Sequence, residues 1–142
     1  MALTIGKVRE FAVDWYRALD VHVPLADALE FLLDDGLEMR FPEATARGHA
    51  GFADWYKAVT NRFFDEKHVV TKVDGPITSD EAQVTVLVRW EARIWNPPAA
   101  GSQYLGFDSD QSWVVVEDAD SKLKIKTYIV NALVPLPGSA SL

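Results

Sequence analysis

The side chains in this chain that could do chemistry are three histidines, a pair of closely spaced aspartates and an asparagine near the end of the last apolar stretch. His68 stands first among them. It follows the charged run Asp65-Glu66-Lys67 and opens a stretch of strand-like alternation. An imidazole accepts and returns a proton near neutral pH without large environmental tuning, which suits a general base. The plainer reading is a strand-edge ring donating to a backbone carbonyl. His22 lies beside Asp20 in a break between helices, where the carboxylate could orient the ring. Asp20 could equally cap the following turn. His49, between Gly48 and Ala50, falls in a loop, either as part of a lid or simply in solvent.

Asp108 and Asp110 share strand parity, so both side chains face one side of a regular strand. On a buried side, repulsion between them would make one a general acid. Phe107 and Trp113 have the opposite parity, which favours a solvated face. Asn131 shares parity with Ile125, Thr127 and Ile129, whereas Lys124, Lys126 and Tyr128 share the other. With the lysines on the wet side, Asn131 is expected to point inward, toward a ligand carbonyl or a core network.

The elements that must position these residues change rhythm near Asp65. Before it, apolar residues recur at helical spacing; after it, they alternate at strand spacing almost to the end. Thr4 can cap a helix running to about Leu19, with Val8, Ala12, Trp15 and Leu19 as its buried stripe. Pro24 forces a break, and a second short helix follows through Leu25 to Leu33, with Gly36 as its left-handed stop. Leu37 to Phe41 reads as a short strand, Glu43 to Ala50 as a polar loop, and about Gly51 to Phe64 as a third helix. Strands follow at Lys67–Asp74, Glu81–Asn96, Tyr104–Glu117 and Leu123–Val134. The longest would span ~50 Å fully extended, so a bulge or strong bend is expected in it. The pattern predicts an α+β fold: three N-terminal helices packed on a strongly curved, mixed or antiparallel sheet, as a single domain over residues 1–142. Pro135 to Leu142 reads as a loose C-terminal tail.

Composition narrows the function classes. The net charge of −7 repels phosphate backbones and anionic lipid heads, so neither nucleic acid nor membrane is an expected partner. No apolar run approaches the ~20 residues of a membrane span, and cytoplasmic residence is expected. Without cysteine there is no disulfide or thiolate chemistry. The histidine spacing makes no metal motif, and no phosphate-binding or dinucleotide glycine loop is present, so no metal and no cofactor are expected.

Several phrases carry a family likeness: Trp15-Tyr16-Arg17-Ala18-Leu19-Asp20 ending the first helix, Leu32-Leu33-Asp34-Asp35-Gly36-Leu37-Glu38-Met39 entering the first strand, and Arg47-Gly48-His49-Ala50-Gly51-Phe52 entering the third helix. With the order of elements, they make the chain resemble the nuclear transport factor 2-like superfamily, more narrowly its SnoaL-like members, relatives of ketosteroid isomerase and scytalone dehydratase. The resemblance covers about Leu3 to Leu133 and implies a cystatin-like cone. It places the isomerase's oxyanion tyrosine at Trp15, or at Tyr16 after a shift of one residue. The isomerase's catalytic base falls near Phe41, which has no proton chemistry, and its second aspartate falls among Asp108, Asp110 and Ser112. Ring-hydroxylating dioxygenase small-subunit-like members look similar in placing a histidine where His68 stands.

The expected function is therefore small-molecule binding in a mainly apolar, aromatic-lined pocket, with cofactor-free acid/base catalysis of isomerase, dehydratase or hydrolase type on a small cyclic or carbonyl compound. In it, His68 is the base, and Tyr16, Asp110 or Asn131 meets developing negative charge. Trp15, Trp55 and Trp90, with His22 and Asn131, bind the substrate. The alternative is a non-catalytic homodimeric binding module, with its contact on the sheet face that carries Arg89, Glu91, Arg93, Leu87 and Trp95. A cavity in which His68 meets an acid favours the first; one filled by Trp55 and Trp90 favours the second.

Overall fold

The computed structural model describes residues 3–142. Thr4 starts helix α1 (Ile5–Asp20) by accepting the Lys7 backbone N–H on its hydroxyl at 3.2 Å. Val8, Ala12, Trp15, Tyr16 and Leu19 make its buried stripe. The chain leaves the helix through His22, whose φ of 52° swings it toward Pro24. Helix α2 (Leu25–Leu29) is shorter than the apolar spacing suggests; residues 30–31 continue as turn and Leu32 bridges to Ile125. Gly36 does have the expected left-handed backbone, φ 86°, but it turns the chain toward the sheet several residues after the helix has ended.

Strand β1 (Glu38–Arg40) pairs with β2 (Thr45–Arg47), which occupies part of the segment expected to be loop. Helix α3 (Gly48–Arg62) begins directly after it and ends where Phe63 becomes extended. Four long strands follow: β3 (Phe63–Asp74), β4 (Glu81–Ile94), β5 (Gln103–Glu117) and β6 (Leu123–Pro135). The six form one mixed sheet in the order β2-β1-β6-β5-β4-β3, antiparallel except for β1 beside β6. This is the α+β architecture expected, with the helices on the inner face.

The irregularities do not fall where the longest extended span suggested. β4 pairs with β5 through an unbroken register from Glu81↔Val116 to Ile94↔Gln103. The shifts lie instead in β4's other ladder, between Phe64 and Lys67 and between Val70 and Lys72, and in the β5–β6 ladder. Bulges at those places add twist and bend to the sheet.

The inner face is packed with aromatics. Trp15 is fully enclosed, with ring centroids 5.6 Å from Phe31, 5.8 Å from Phe52 and 6.4 Å from Tyr128. Burying a ring of this kind is worth roughly 1.5–3 kcal/mol. A second apolar cluster of Phe63, Ala92, Ile94, Leu105 and Phe107 lies on the same sheet. The C-terminal segment, expected to be loose, is tied to β5. Leu136 N–H donates to the Gly106 carbonyl at 2.8 Å, Ala140 N–H to the Tyr104 carbonyl at 2.8 Å, and Gly106 N–H to Ser139 Oγ at 3.0 Å. Ala140 packs on the second cluster, which supplies a physical reason for the docking.

Candidate active site

α1 and β3 lie side by side, and the residues at their ends pair across the gap. Asp20, the last residue of α1, grips His68 twice: Oδ1 lies 2.5 Å from Nδ1, and Oδ2 accepts the His68 backbone N–H at 3.0 Å. The sequence left Asp20 either to orient His22 or to cap the turn after the helix. The turn at His22 sends that ring past Asp20 to the Glu66 carboxylate instead.

An ionised carboxylate only accepts, so the proton on Nδ1 belongs to the imidazole. In the neutral ring that tautomer leaves a lone pair on Nε2. Among the described residues Nε2 has no hydrogen-bond partner, and it is not sealed from solvent. The His68 side chain is 11 % exposed, enough for one edge to be reached. Two aromatic rings lie nearly parallel to it. Tyr16 stacks at 4.5 Å and 19° on one side, and the Trp90 ring lies 6.1 Å away at 18°. Phe107 continues the row beyond Trp90 at 6.0 Å.

Tyr16 also belongs to a buried polar network. Trp113 Nε1, which can only donate, points at Gln111 Oε1 at 2.9 Å, and this fixes the orientation of the amide. The Tyr16 hydroxyl therefore donates to that oxygen at 2.6 Å, and the Tyr128 hydroxyl donates to Tyr16 at 2.9 Å. Gln111 Nε2 donates to Ser109 Oγ at 2.8 Å. Burial raises the Tyr16 phenol well above the usual range, with the neighbouring Tyr128 adding to it. Burial likewise pushes Tyr128 up to about 12, against the opposing hydrogen bond with Tyr16. With its proton committed to Gln111, Tyr16 contributes a ring face to the site, and its hydroxyl has no proton to offer a developing oxyanion.

Sequence reasoning missed Gln111, Ser109 and Glu66. The first two share the inward parity of Phe107 and Trp113, which was the available signal. Glu66 looked like part of a solvated charge run, yet its side chain is only 10 % exposed. One carboxylate oxygen takes His22 and the other takes the Trp90 indole N–H at 3.1 Å. Burial and the Glu66 charge together raise the Tyr56 phenol, whose hydroxyl donates to the Val23 carbonyl at 2.7 Å.

The remaining expected residues lie elsewhere. Asp110 is exposed on the outer face of β5, opposite to Ser109 and Gln111. Its neighbour Asp108 forms a two-point ion pair with Arg89 at 2.9 and 3.1 Å, which lowers the Asp108 carboxyl below its usual range. Asn131 is also on the outer face, donating to Ser112 Oγ at 2.8 Å, which corrects its expected inward aim. The physical reason is register. Val114 pairs with Thr127 and Val115 with Ile125, so Lys126 is an extra residue and the parity of β6 flips there. Tyr128, expected beside the lysines on the wet side, is consequently buried against Trp113. Trp55 stacks on Phe41 at 3.9 Å and 4°, and its indole donates to Glu43 at 2.9 Å. Trp15 belongs to the core between the helices. His49 sits in the first turn of α3, tied by its backbone N–H to Asp34 Oδ1 at 2.9 Å and by its ring to the Leu32 carbonyl at 2.9 Å. It anchors the helix start.

Two surface depressions, of about 520 Å³ beside Arg9, Glu10, Val13, Asp14 and Arg17 and about 330 Å³ beside Asp74, Gln83, Trp113 and Ile129, involve neither His68 nor Asp20. Among the described residues, no group of three or more His, Asp or Glu side chains could hold a metal ion. No helix among them is long and apolar enough to cross a membrane.

No family profile matches the chain, and no curated protein does. Solved structures do. A protein of unknown function with a cystatin-like fold from Nostoc punctiforme superposes with a TM-score of 0.71 at 16 % identity, covering 100 % of both chains. The fold is the cystatin-like fold. Hexachlorocyclohexane dehydrochlorinase LinA-type3 from Novosphingobium barchaimii shares this cystatin-like fold at 17 % identity, with a TM-score of 0.73 over 95 % of this chain and 91 % of that one. A ketosteroid isomerase-like protein from Erwinia carotovora atroseptica matches at 16 % identity and a TM-score of 0.70, over 89 % and 93 %.

Proposed function

We propose that this protein is a cofactor-independent enzyme in which His68 removes a proton from carbon in a small cyclic or carbonyl compound, leading to elimination or isomerisation. The observation that carries this reading is the one-sided bonding of His68: Nδ1 held by Asp20, Nε2 unpartnered and open to solvent. Asp20 orients the ring and steadies the imidazolium that forms once Nε2 takes the proton. Tyr16 and Trp90 present flat apolar surface beside the reacting edge, which favours a ring-shaped substrate. The fold neighbours include a dehydrochlorinase and an isomerase-like protein, names compatible with proton removal from carbon.

The test is a panel of cyclic β-hydroxy ketones and β,γ-unsaturated ketones, followed by ultraviolet absorbance of the conjugated product. Turnover by the wild-type chain and its loss in His68→Ala supports the reading; equal product formation by His68→Ala sinks it.

A second reading, a dimeric binding module without turnover, is favoured by the close packing of the aromatics expected to line a pocket. Its contact would use the outer sheet face around Arg89 and Glu91, where Trp95 is 51 % and Val69 43 % exposed. Native mass spectrometry distinguishes the two, by showing a dimer with or without a bound small molecule. Cytoplasmic residence is the setting we assign from composition.

A further inference from the structure

We propose that Glu66 is a positioning residue for His68, acting through Trp90, with His22 as its brace. The inference rests on the reading of His68 as a base, but its geometry stands separately. Asp20 and His22 at the end of α1 pair with His68 and Glu66 in the first half of β3, so two histidine–carboxylate pairs run side by side in antiparallel order. Glu66 is aimed at this corner by the register shift between Phe64 and Lys67 and by the left-handed backbone of Asp65, φ 51°. Without that bulge, strand alternation alone would set its direction.

Each Glu66 oxygen has one task. One binds His22, which ties the connector after α1 to β3; the other accepts the Trp90 indole N–H. Phe63 meets Trp90 edge-on at 5.1 Å, and Phe107 stacks behind it at 6.0 Å, but only Glu66 gives the indole a directional polar contact. That contact holds the indole within 18° of the imidazole plane. His68 therefore has two near-parallel ring neighbours, Tyr16 fixed through Gln111 and Trp90 fixed through Glu66, while Asp20 fixes its Nδ1 edge. The Nε2 edge is the one left for a substrate. A base held on three sides keeps its lone pair aimed, and that geometry is what proton abstraction needs.

The experiment is proton NMR of the full chain, with the Trp90 indole resonance assigned by Trp90→Phe, in wild type, Glu66→Leu, Glu66→Gln and His22→Gln. Glu66→Leu is expected to speed solvent exchange of the Trp90 indole proton roughly fivefold to tenfold, as for one lost hydrogen bond. It should also abolish the nuclear Overhauser contact between the Trp90 ring and the His68 imidazole. Glu66→Gln, which keeps an accepting oxygen, should restore both signals. His22→Gln should show a partial change in exchange, and it serves if Glu66→Leu does not fold. Folded Glu66→Leu or His22→Gln protein with wild-type exchange and an intact ring contact overturns the proposal. No substrate enters these measurements, so they fail or succeed independently of the turnover panel.

Discussion

The Tyr16 ring divides two polar assemblies that obey opposite rules. At its hydroxyl end, Tyr16, Tyr128, Trp113 and Gln111 each donate to another member of a buried chain that ends on Ser109. At its face, His68 is bonded through Nδ1 and left open at Nε2. A saturated buried network gains rigidity and offers no free valence, whereas an oriented group with one free lone pair has somewhere to bind a proton. The difference teaches which of two neighbouring polar clusters is scaffold and which is chemistry. Tyr16 serves both, through different atoms.

The widest separation of the two assemblies should come from the histidine side. His68→Ala is expected to lower the proposed turnover about 10²–10⁴-fold with folding retained. Asp20→Asn should fall in the same range. An amide that turns its NH₂ toward Nδ1 drives the ring proton to Nε2 and blocks the lone pair. Steady-state rates, with urea unfolding as the control, decide this; an Asp20→Asn enzyme of wild-type rate would remove the carboxylate from the chemistry.

On the tyrosine side the effect should be on stability. Gln111→Leu strands the Tyr16 and Trp113 donors, at about 1–3 kcal/mol for each buried unsatisfied group. Urea midpoints measure it, and an unchanged midpoint would mean that water or a shifted partner replaces the amide. The same network predicts an alkaline transition. Tyr128 is raised from 10.0 to about 12, so its folded state holds the proton more tightly than the unfolded chain does. Its contribution is fully present below pH 10 and is lost as pH rises from there through about 12, a change of roughly 2–3 kcal/mol. Tyr128→Phe should flatten that part of the stability curve; a parallel decline in both proteins would place the loss elsewhere.

The smallest effect is expected outside the cone. The Asp108 carboxyl is lowered by Arg89, so any stability it adds is present above its unfolded titration range and is lost as pH falls through its folded one. Both side chains are half exposed, and the pair is solvent-screened. Asp108→Asn should therefore leave the acid-unfolding curve unmoved, and a displaced curve would show that the outer face is covered in solution.

The fold was legible because α1's apolar spacing and the alternation of β4 and β5 are local patterns, and each has one way to bury its apolar side. The same alternation put Asp108 on the wet face. It failed in β6, where the extra residue at Lys126 exchanged the faces and moved Tyr128 in and Asn131 out. Bulges carry little sequence signature because one added residue costs little locally while reversing everything downstream. His68 was identifiable by residue type and place, but Glu66 was hidden in a charge run whose bulge decides its direction.

By itself, then, the sequence determined the helical and extended segments, the apolar stripes and the exclusion of thiolate chemistry, because these depend on neighbours a few residues apart. Tertiary structure alone decided that Asp20 belongs to His68 and His22 to Glu66, pairs 48 and 44 residues apart. Proximity in the chain offered Asp20 only His22 or the backbone of the following turn. The turn after α1 and the bulge opening β3 aim the side chains otherwise, and hydrogen bonds depend on distance and direction in space.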